Sequence, residues 1–342
     1  MAKAVKLADI AKQLNVSTVT VSKALSNQKG VSEELREKIK ELADELGYRS
    51  PSAARQMNMP QSYNIGVLIS ERYLDKYESF YWQMYQALLT RAARKQCFIM
   101  LEVLSQEHER ALELPVLLKE DKVDGMIVIG LLEERYLDVL ETTTTALLYM
   151  DFYNRKKQCD AVITDNYYGM YEMTNYLFDM GHTQIAYVGK LLYTSSITDR
   201  FFGYAKALVE HGERVREDWI IDDRDEVSGK IDEGDTIRLP SEMPTAFVCN
   251  CDLAASALIA RLRERGYQVP EDISVIGFDN YLYPGLCNIG ITTYEVDIKE
   301  MARKSINIVI KKISGVPYKK GVTIIQGSPV MKESVAAFPI ES

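Results

Sequence analysis

From residue 64 onward, short apolar runs alternate with longer amphipathic stretches. Four such runs come first: IGVLIS at 65–70, CFIMLEV at 97–103, GMIVIG at 125–130 and ALLYMD at 146–151. Short apolar runs without polar alternation are typical of strands that are buried on both faces. Since strands that alternate with helices form parallel sheets covered by helices on both faces, the pattern predicts an α/β fold.

A second series of apolar runs follows, with IAYVG at 185–189, TAFVCN at 245–250 and ISVIGF at 273–278. Two series predict two similar lobes with a cleft between them. Ligands in open α/β sheets bind at the carboxyl ends of the strands. The polar residues that close these strands are therefore candidate ligand contacts: Asp151, Asn250 and Asp279. A structural role is the alternative for each of them, such as a cap of the next turn for Asp279.

The N-terminal residues combine a helical pattern with a stretch that favours strand. KLADIAKQL at 6–14 has helical spacing of apolar residues, whereas NVSTVTVSKAL at 15–25 is rich in β-branched residues. Asn15 tolerates the left-handed conformation that ends a helix, and Ser17 is a favoured N-cap for a second helix. The residues that face inward on such a helix are Val21, Ala24 and Leu25. The residues that face outward are Thr18, Val19, Ser22 and Lys23.

A third helix is predicted after Gly30. Ser32 caps it, Glu33 and Glu34 suit its positive N-terminal end, and Gly47 ends it. Two short helices that are joined by a tight turn and braced by a third form a helix-turn-helix unit. This pattern is degenerate, and a plain three-helix bundle without a DNA role explains it as well.

The distribution of charge points to a polyanionic partner at the N-terminus. The chain of 342 residues has a net charge of −8, yet residues 1–30 carry five lysines and one aspartate, for a net charge of +4. A small basic head on an acidic body is typical of proteins that bind nucleic acid. An ordinary solvated helix face is the competing explanation.

Composition excludes several classes of protein. Hydrophobic residues make up 46% of the chain, but no window approaches the ~18 apolar residues that a membrane span needs. The N-terminus lacks an apolar signal core, which predicts a cytoplasmic protein without a membrane partner. The five cysteines are scattered and odd in number, as expected for reduced thiols, and Cys249-x-Cys251 has no further ligands at metal spacing. We therefore expect no metal and no cofactor.

The head resembles the DNA-binding region of LacI/GalR-family transcriptional regulators. The segments that carry the resemblance follow one another between residues 7 and 70: LADIAKQLNVSTVTVSKALS, VSEELREKIKELADELGY, SPSAARQM and IGVLIS. The resemblance implies an all-α helix-turn-helix domain at 1–49 and a hinge helix or linker at 50–62. It also implies a two-lobed effector-binding and dimerisation domain at 63–342.

In this family the second helix enters the DNA major groove. The resemblance therefore assigns DNA contacts to Ser17, Thr18, Val19, Ser22, Lys23 and Asn27. Thr18, Val19 and Lys23 stand at the base-reading positions, and the other three suit phosphate. Lys23 replaces the family's usual arginine, whose fork binds guanine, and Val19 can contact only a thymine methyl. We therefore expect a half-site that depends little on guanine at these positions.

Residues 50–58, SPSAARQMN, resemble the hinge helix that the family inserts into the minor groove at the operator centre. There an apolar side chain wedges between base pairs, and Met57 stands at the position of the family's leucine. Ala54 is assigned to the same contact. Pro51 lies one residue later than the family's proline, which shifts the expected start of the helix. A plain polar linker is the alternative.

The body resembles the type I periplasmic-binding-protein fold that the family uses, with two Rossmann-like lobes and three crossings between them. The crossings are expected near residues 160–164, 288–293 and 320–324. These positions give a first lobe at about 63–162 and 292–321, and a second lobe at about 163–291 and 322–342.

The resemblance also assigns effector contacts. Phe80 and Tyr81 match the family's aromatic pair at the start of the first lobe helix, and Arg200 matches its Arg-x-x-Gly-Tyr element. Aromatic rings stack on apolar sugar faces, while a guanidinium and carboxylates bind vicinal hydroxyls. A surface ion pair is the alternative for Arg200. The complete predicted effector set is Phe80, Tyr81, Asp151, Arg200, Asn250 and Asp279.

A carbohydrate is the expected effector. Where the family often has an aromatic residue, this chain has Asp223, Arg224 and Asp225, and an inward Arg224 would favour an acidic or phosphorylated sugar. The alternatives are a nucleobase or nucleoside, or a phosphorylated carrier protein.

The sequence thus predicts a transcriptional repressor of carbohydrate-utilisation genes that binds a pseudo-palindromic operator as a homodimer. Because the segment after Gly327 lacks a leucine heptad tail, we expect a dimer rather than a tetramer. A nucleotide-dependent enzyme is disfavoured, since the glycine-rich and nucleophile-elbow motifs are missing. A sugar-binding protein without a DNA role would need export, for which no signal is present.

Overall fold

The structure is a computed structural model that describes residues 7–25, 28, 30–46, 62–74, 79–154, 159–226, 228–231, 236–282 and 285–339. The chain divides into two compact units, Met1–Ser62 and Tyr63–Ser342. The helices described in the first unit are α1 (Leu7–Gln13), α2 (Thr18–Leu25) and α3 (Glu33–Glu45). The stretch NVSTVTVSKAL is therefore helical from Thr18, although its propensity favours strand.

Local backbone chemistry sets the boundaries of these helices, as predicted. Asn15 adopts φ 51° after α1, and the Ser17 hydroxyl accepts the Thr20 N–H at 3.0 Å as the N-cap of α2. Ser32 caps α3 by accepting the Leu35 N–H at 3.3 Å. The apolar faces of the three helices bury a small common core, and this burial outweighs the strand propensity of α2. The core contains Ile10, Ala11, Val21, Ala24, Ile39 and Ala43.

The second unit contains two parallel sheets and a small antiparallel ribbon. Its strands are β1 (Asn64–Ser70), β2 (Phe98–Leu104), β3 (Gly125–Ile129), β4 (Ala146–Met150), β5 (Ala161–Thr164), β6 (Ile185–Val188), β7 (Ile220–Ile221), β8 (Ala246–Cys249), β9 (Ser274–Ile276), β10 (Thr293–Glu295), β11 (Val322–Ile325) and β12 (Ser328–Val330). Its helices are α4 (Phe80–Arg94), α5 (Gln106–Arg110), α6 (Val116–Lys119), α7 (Glu134–Leu140), α8 (Asn166–Asp179), α9 (Ser195–Glu210), α10 (Asp252–Glu264) and α11 (Ile298–Ile313).

Each sheet forms the centre of one lobe. The first sheet runs β11–β5–β4–β3–β1–β2 and is parallel throughout, with α4 and α11 on one face and α6 and α7 on the other. The second sheet runs β7–β6–β8–β9, with α8 and α9 on one face and α10 on the other. β10 and β12 pair as the ribbon. The predicted fold of two α/β lobes is confirmed.

The chain crosses between the lobes a few residues later than predicted. The strands β5 at 161–164 and β11 at 322–325 of the first sheet overlap the crossings expected near 160–164 and 320–324. The chain leaves that sheet only after them. The remaining crossing follows β10 rather than coinciding with 288–293, because Glu295 still bridges to Asp279 at the end of the second sheet.

Strand length and exposure explain these differences. β5 contains only three apolar residues, Ala161, Val162 and Ile163, which is fewer than any of the runs that predicted a strand. β11 lies at the sheet edge, where Val322 and Ile324 are exposed, and an edge strand does not have the continuous apolar signature of a central one.

Among the described residues, no helix is both long and apolar enough to span a membrane. The same part of the chain contains no cluster of three or more His, Cys, Asp or Glu side chains that could hold a metal ion. All five cysteines are free thiols. Cys251 has a structural task, because its Sγ accepts the Ala254 N–H at 3.4 Å and caps α10.

Candidate functional site

The candidate DNA contacts that the structure describes lie on the solvent face of α2. The exposed residues of this helix include Thr18, Val19, Ser22 and Lys23. Val19 is aliphatic but 61% exposed, whereas Val21 and Ala24 on the same helix are buried. Ser17 is also exposed, but its hydroxyl is engaged in the N-cap and bonds the Thr20 hydroxyl at 2.8 Å. A phosphate contact by Ser17 would therefore have to be shared with the cap.

Three further DNA-contact predictions, Asn27, Ala54 and Met57, lie outside the described residues, as do the predicted helix stop at Gly47 and the hinge residue Pro51. Their roles stay predictions.

A cavity of about 580 Å³ lies between the two lobes, at the carboxyl ends of the central strands. The first lobe contributes an aromatic wall, in which Tyr81 packs against Tyr73 at 4.7 Å and against Phe80 at 5.9 Å between ring centroids. Tyr281 of the second lobe faces Phe80 at 6.3 Å. Rings on both sides can stack on the apolar face of a cyclic ligand. All six predicted effector contacts line this cavity: Phe80, Tyr81, Asp151, Arg200, Asn250 and Asp279.

Asp151 is a buried carboxylate with an unfilled acceptor. It directly follows β4, adopts φ 71°, and accepts the Tyr81 hydroxyl at 3.2 Å through Oδ2. Its Oδ1 is buried and has no hydrogen-bond partner in the described part of the chain. Burial raises the pKa of Asp151 to about 6, against the opposing effects of Arg200 and the Tyr81 hydrogen bond.

Arg200 is the centre of the second-lobe wall. Its Nε donates to Asn166 Oδ1 at 2.8 Å, its Nη1 donates to the Asn250 carbonyl, and its Nη2 lies 3.1 Å from Asp279 Oδ1. The guanidinium stacks over the Phe278 ring at 3.8 Å. Arg200 is only 4% exposed, so the alternative of a surface ion pair is wrong.

Asp279 holds an unusual backbone conformation next to this arginine. Its φ is 102°, in the region that L-residues rarely adopt, and its N–H donates to the Tyr294 carbonyl. Burial raises the pKa of Asp279 to about 7, against the charge of Arg200 and with the charge of Asp151. Strained residues of this kind are common at ligand sites, where the surrounding contacts hold them.

Asn250 and Asp223 connect Arg224 to the same wall. Asn250 Nδ2 donates to Asp223 Oδ2 at 2.9 Å, and Asp223 is fully buried. Arg224 donates to both Asp223 oxygens and reaches Asn250 Oδ1 at 3.3 Å. Burial alone would raise the pKa of Asp223, but Arg224 and the hydrogen bonds from Asn250 and the Lys190 N–H hold it below its ordinary value. The Arg224 side chain is thus directed inward, with its charge paired to Asp223.

Comparison with known proteins finds a matching family for each of the two units. Residues 6–51 match the family described as bacterial regulatory proteins, lacI family, and residues 174–335 match the periplasmic binding protein-like domain. The chain belongs to the LacI family of transcriptional regulators.

Full-length relatives agree with this assignment. The HTH-type transcriptional repressor PurR of Vibrio campbellii is 28% identical over 329 residues, which cover 96% of this chain and 97% of that protein. The PurR repressor of Glaesserella parasuis is 27% identical and covers 89% of both chains. This LacI-family chain is a DNA-binding transcriptional repressor and not an enzyme.

Solved structures share the fold. The lac repressor dimer bound to operator and the anti-inducer ONPF has a TM-score of 0.65 and 24% identity, over 98% of this chain and 100% of that one. The complex of the transcriptional regulator CelR with cellobiose has a TM-score of 0.66 and 20% identity, over 96% of this chain and 99% of that one.

Several cavity residues of this LacI-family chain were not predicted from the sequence. Arg72 and Tyr73 follow the end of β1, Cys251 follows β8, and Tyr281 follows Asp279. The rule that identified Asp151, a functional side chain just beyond a strand end, could have found the first three. The apolar end of the cavity was also unpredicted, since Leu253, Ala257 and Ala260 read as an ordinary face of α10.

Proposed function

We propose that this repressor binds a pseudo-palindromic operator as a homodimer, and that a carbohydrate in the interlobe cavity controls its affinity for the operator. The observation that carries the effector proposal is Asp151, which lines the same cavity as Arg200 and Asp279 and whose buried Oδ1 has no described hydrogen-bond partner. Adjacent sugar hydroxyls supply donors to both carboxylates and an acceptor to the guanidinium. The aromatic wall fits the apolar face of a sugar ring.

A structural relative supports a carbohydrate, because CelR, with 20% identity, was solved with cellobiose. A nucleobase or nucleoside is the second candidate. It is favoured by the same aromatic wall, since Phe80 and Tyr281 both line the cavity and a flat base that stacks on either ring has N–H donors for Asp151. A sugar offers more donors to the two carboxylates, and for that reason we place it first.

Exposed apolar side chains on the first lobe support the homodimer. Phe98 is 65% exposed on the edge strand β2, and Val103, at the other end of that strand, is exposed as well. Leu89 on α4 and Val116 on α6 are also exposed. Exposed apolar side chains on and around an unpaired sheet edge favour association with a second protein surface. The lac repressor, which shares this fold, was solved as a dimer on its operator.

Control of the operator follows from thermodynamic linkage. A ligand that bridges the lobes stabilises one relative arrangement of the two lobes in each protomer. If that arrangement changes the affinity for operator by some factor, operator binding changes the affinity for ligand by the same factor. The sign depends on which arrangement the ligand prefers. Because the operator lies on the chromosome, the proposal includes a cytoplasmic location.

The operator itself is tested by selection from a randomised DNA library. We expect a two-fold symmetric site in which the base pairs facing Val19 and Lys23 show weak preference for guanine. Lys23→Arg should add a guanine preference at one position of each half-site, since only arginine presents two parallel donors. A strong guanine preference at the Val19 contact in the native protein would contradict this assignment.

The effector class is tested by thermal denaturation of the full chain with mono- and disaccharides, their phosphates, nucleobases and nucleosides. A ligand at 100 times its dissociation constant adds roughly 2.7 kcal/mol to the free energy of unfolding, which is readily detected. A shift with sugars that is absent in Arg200→Ala supports the carbohydrate proposal. A shift with nucleobases alone would replace it by the second candidate.

A further inference from the structure

Two arginines line the cavity from opposite lobes. Arg72 lies just beyond β1 of the first lobe, and Arg224 lies beyond β7 of the second. Both side chains line the same cavity of about 580 Å³. The Arg72 guanidinium is 5.8 Å from the centroid of the Tyr73 ring, and that of Arg224 is 5.1 Å from the centroid of the Tyr193 ring. Each lobe therefore contributes one of these two cations to the cavity wall.

Each guanidinium is oriented by a buried carboxylate. Glu109 is 1% exposed and accepts Arg72 Nη2, while Arg72 Nε donates to Ser70 Oγ at 3.1 Å. Asp223 is fully buried and accepts Arg224 Nε at 3.1 Å and Nη2 at 2.6 Å. In both arginines the described residues engage Nε and Nη2, while no described residue accepts from Nη1. Two rigid donor groups are thus held at the cavity wall.

Loop packing fixes the position of Arg224 further. Arg224 pairs with Ile231 in an antiparallel bridge. Gly229 sits against the Tyr193 hydroxyl so closely that a Cβ at that position would lie 1.9 Å from the oxygen. A flexible surface arginine would lack these restraints.

We propose that the space between Arg72 and Arg224 is a subsite for an anionic group, and that the effector is a phosphorylated or carboxylated sugar. This inference rests on the effector site proposed above and names its ligand class. Guanidinium groups bind phosphate and carboxylate oxygens through charge-assisted hydrogen bonds, most strongly when their geometry is fixed in advance. An anion that bonds arginines of both lobes also joins the lobes, which couples its presence to the interlobe arrangement.

The distribution of charge in the cavity fixes the direction of the ligand. Asp151 and Asp279 repel an anion and accept hydrogen bonds from hydroxyl groups. We therefore expect the sugar hydroxyls to lie beside these two carboxylates. Glu109 and Asp223 are already engaged with the arginines and backbone N–H groups. We therefore expect the anionic group between Arg72 and Arg224 and the hydroxyls beside Asp151 and Asp279.

The subsite is tested first with inorganic phosphate, which needs no knowledge of the sugar. Melting temperatures are measured in phosphate and in chloride at equal ionic strength for the native chain, for Arg72→Gln with Glu109→Gln, and for Arg224→Gln with Asp223→Asn. Each double variant removes a cation together with its buried acid and so avoids an unpaired buried charge. Arg216→Gln is the matched control, because Arg216 pairs with Asp218 and Glu242 on the exposed surface of the second lobe.

Phosphate stabilises most proteins through exclusion from their surface, and that general effect is common to all four proteins. We expect an additional rise in the native chain and in Arg216→Gln that is lost in both double variants. Equal rises in all four proteins would overturn the subsite. Arg72→Lys and Arg224→Lys, which keep a cation beside each acid, should each lose part of the additional rise. They replace any double variant that does not fold.

The ligand class is tested with matched sugars, using glucose, glucose 6-phosphate and glucuronate as probes in calorimetric titrations. We expect each anionic sugar to bind at least tenfold more tightly than glucose, and this advantage to disappear in the double variants. Tighter binding of glucose 6-phosphate than of glucuronate identifies a phosphorylated effector. Tighter binding of glucuronate identifies a carboxylated effector. Equal affinity of all three would overturn the inference and leave the proposed effector site intact. Failure of the native chain to bind any operator would instead contradict the proposed function.

Discussion

The two lobes line the cavity in different ways. The second lobe presents a connected polar network in which Arg200 joins Asn166, Asn250 and Asp279. The first lobe presents mainly aromatic rings, and the Asp151 carboxylate accepts one described hydrogen bond, from the Tyr81 hydroxyl. The second-lobe wall is therefore fixed before a ligand arrives, whereas the first-lobe wall leaves an acceptor for the ligand to fill. We infer that the ligand is oriented by the second lobe and that its contact with Asp151 recruits the first.

The largest expected effect comes from breaking the second-lobe network. Arg200→Ala leaves buried Asn166 and Asp279 without their donor, and loss of one partner of a buried ion pair costs roughly 3–5 kcal/mol. We expect a large fall in the melting temperature and loss of ligand binding. Arg216→Ala, on the exposed face of the same lobe, is the control and should change little. Equal melting temperatures for the two variants would show that the network does not organise this wall.

A smaller loss is expected from the helix contact beneath the network. A Cβ at Gly203 on α9 would lie 2.2 Å from the backbone oxygen of Tyr167 on α8. Gly203→Ala must separate the two helices, at a cost of about 1–3 kcal/mol, and so displaces Arg200 from Asn166. Chemical denaturation measures the free energy of unfolding of this variant, and calorimetry measures its affinity for ligand. A variant with native stability would contradict the close helix contact.

The first-lobe wall is tested with a milder change. Tyr81→Phe keeps the ring but removes the hydrogen bond to Asp151, which should weaken ligand binding by about tenfold, or ~1.4 kcal/mol. Tyr85→Phe, one turn later on α4 and outside the cavity wall, is the control. If both variants bind ligand equally well, Asp151 is not positioned by Tyr81.

The last test concerns pH. The pKa of Asp151 is raised to about 6 in the native state, against about 3.9 in an unfolded chain. Between these values the native state binds more protons, so the stability of the native chain falls as pH rises from about 4 to 7. Asp151→Asn cannot ionise and should gain stability relative to the native chain over this range. Parallel stability curves for the two proteins would contradict the raised pKa.

The sequence predicted the parts of this molecule in which burial leaves a continuous pattern. The central strands and the helices of the head follow from apolar spacing and from caps such as Ser17 and Ser32. β5 and β11 were missed because β5 has only three apolar residues, Ala161, Val162 and Ile163, and because β11 is a half-exposed edge strand without a continuous apolar pattern. Their omission moved the predicted lobe boundaries toward the N-terminus.

The site was predictable to the extent that it sits at strand ends. Asp151, Asn250 and Asp279 follow from that rule, and the resemblance to the family supplied Phe80, Tyr81 and Arg200. What the sequence could not supply is which charges pair with which. Arg224 is directed inward, and its charge is paired with the fully buried carboxylate of its neighbour Asp223. Residues distant in sequence, such as Arg72, complete the cavity. Pairing of this kind depends on tertiary contacts that no local pattern records.

The central claim is that occupancy of the cavity controls binding to the operator. The direct measurement is the affinity of the native chain and of Arg200→Ala for the selected operator, each with and without a ligand that raises the melting temperature of the native chain. We predict that the ligand changes the operator affinity of the native chain by at least tenfold. We also predict that Arg200→Ala binds the operator with near-native affinity and that the ligand does not change this affinity. An operator affinity of the native chain that is the same with and without the ligand would contradict the claim.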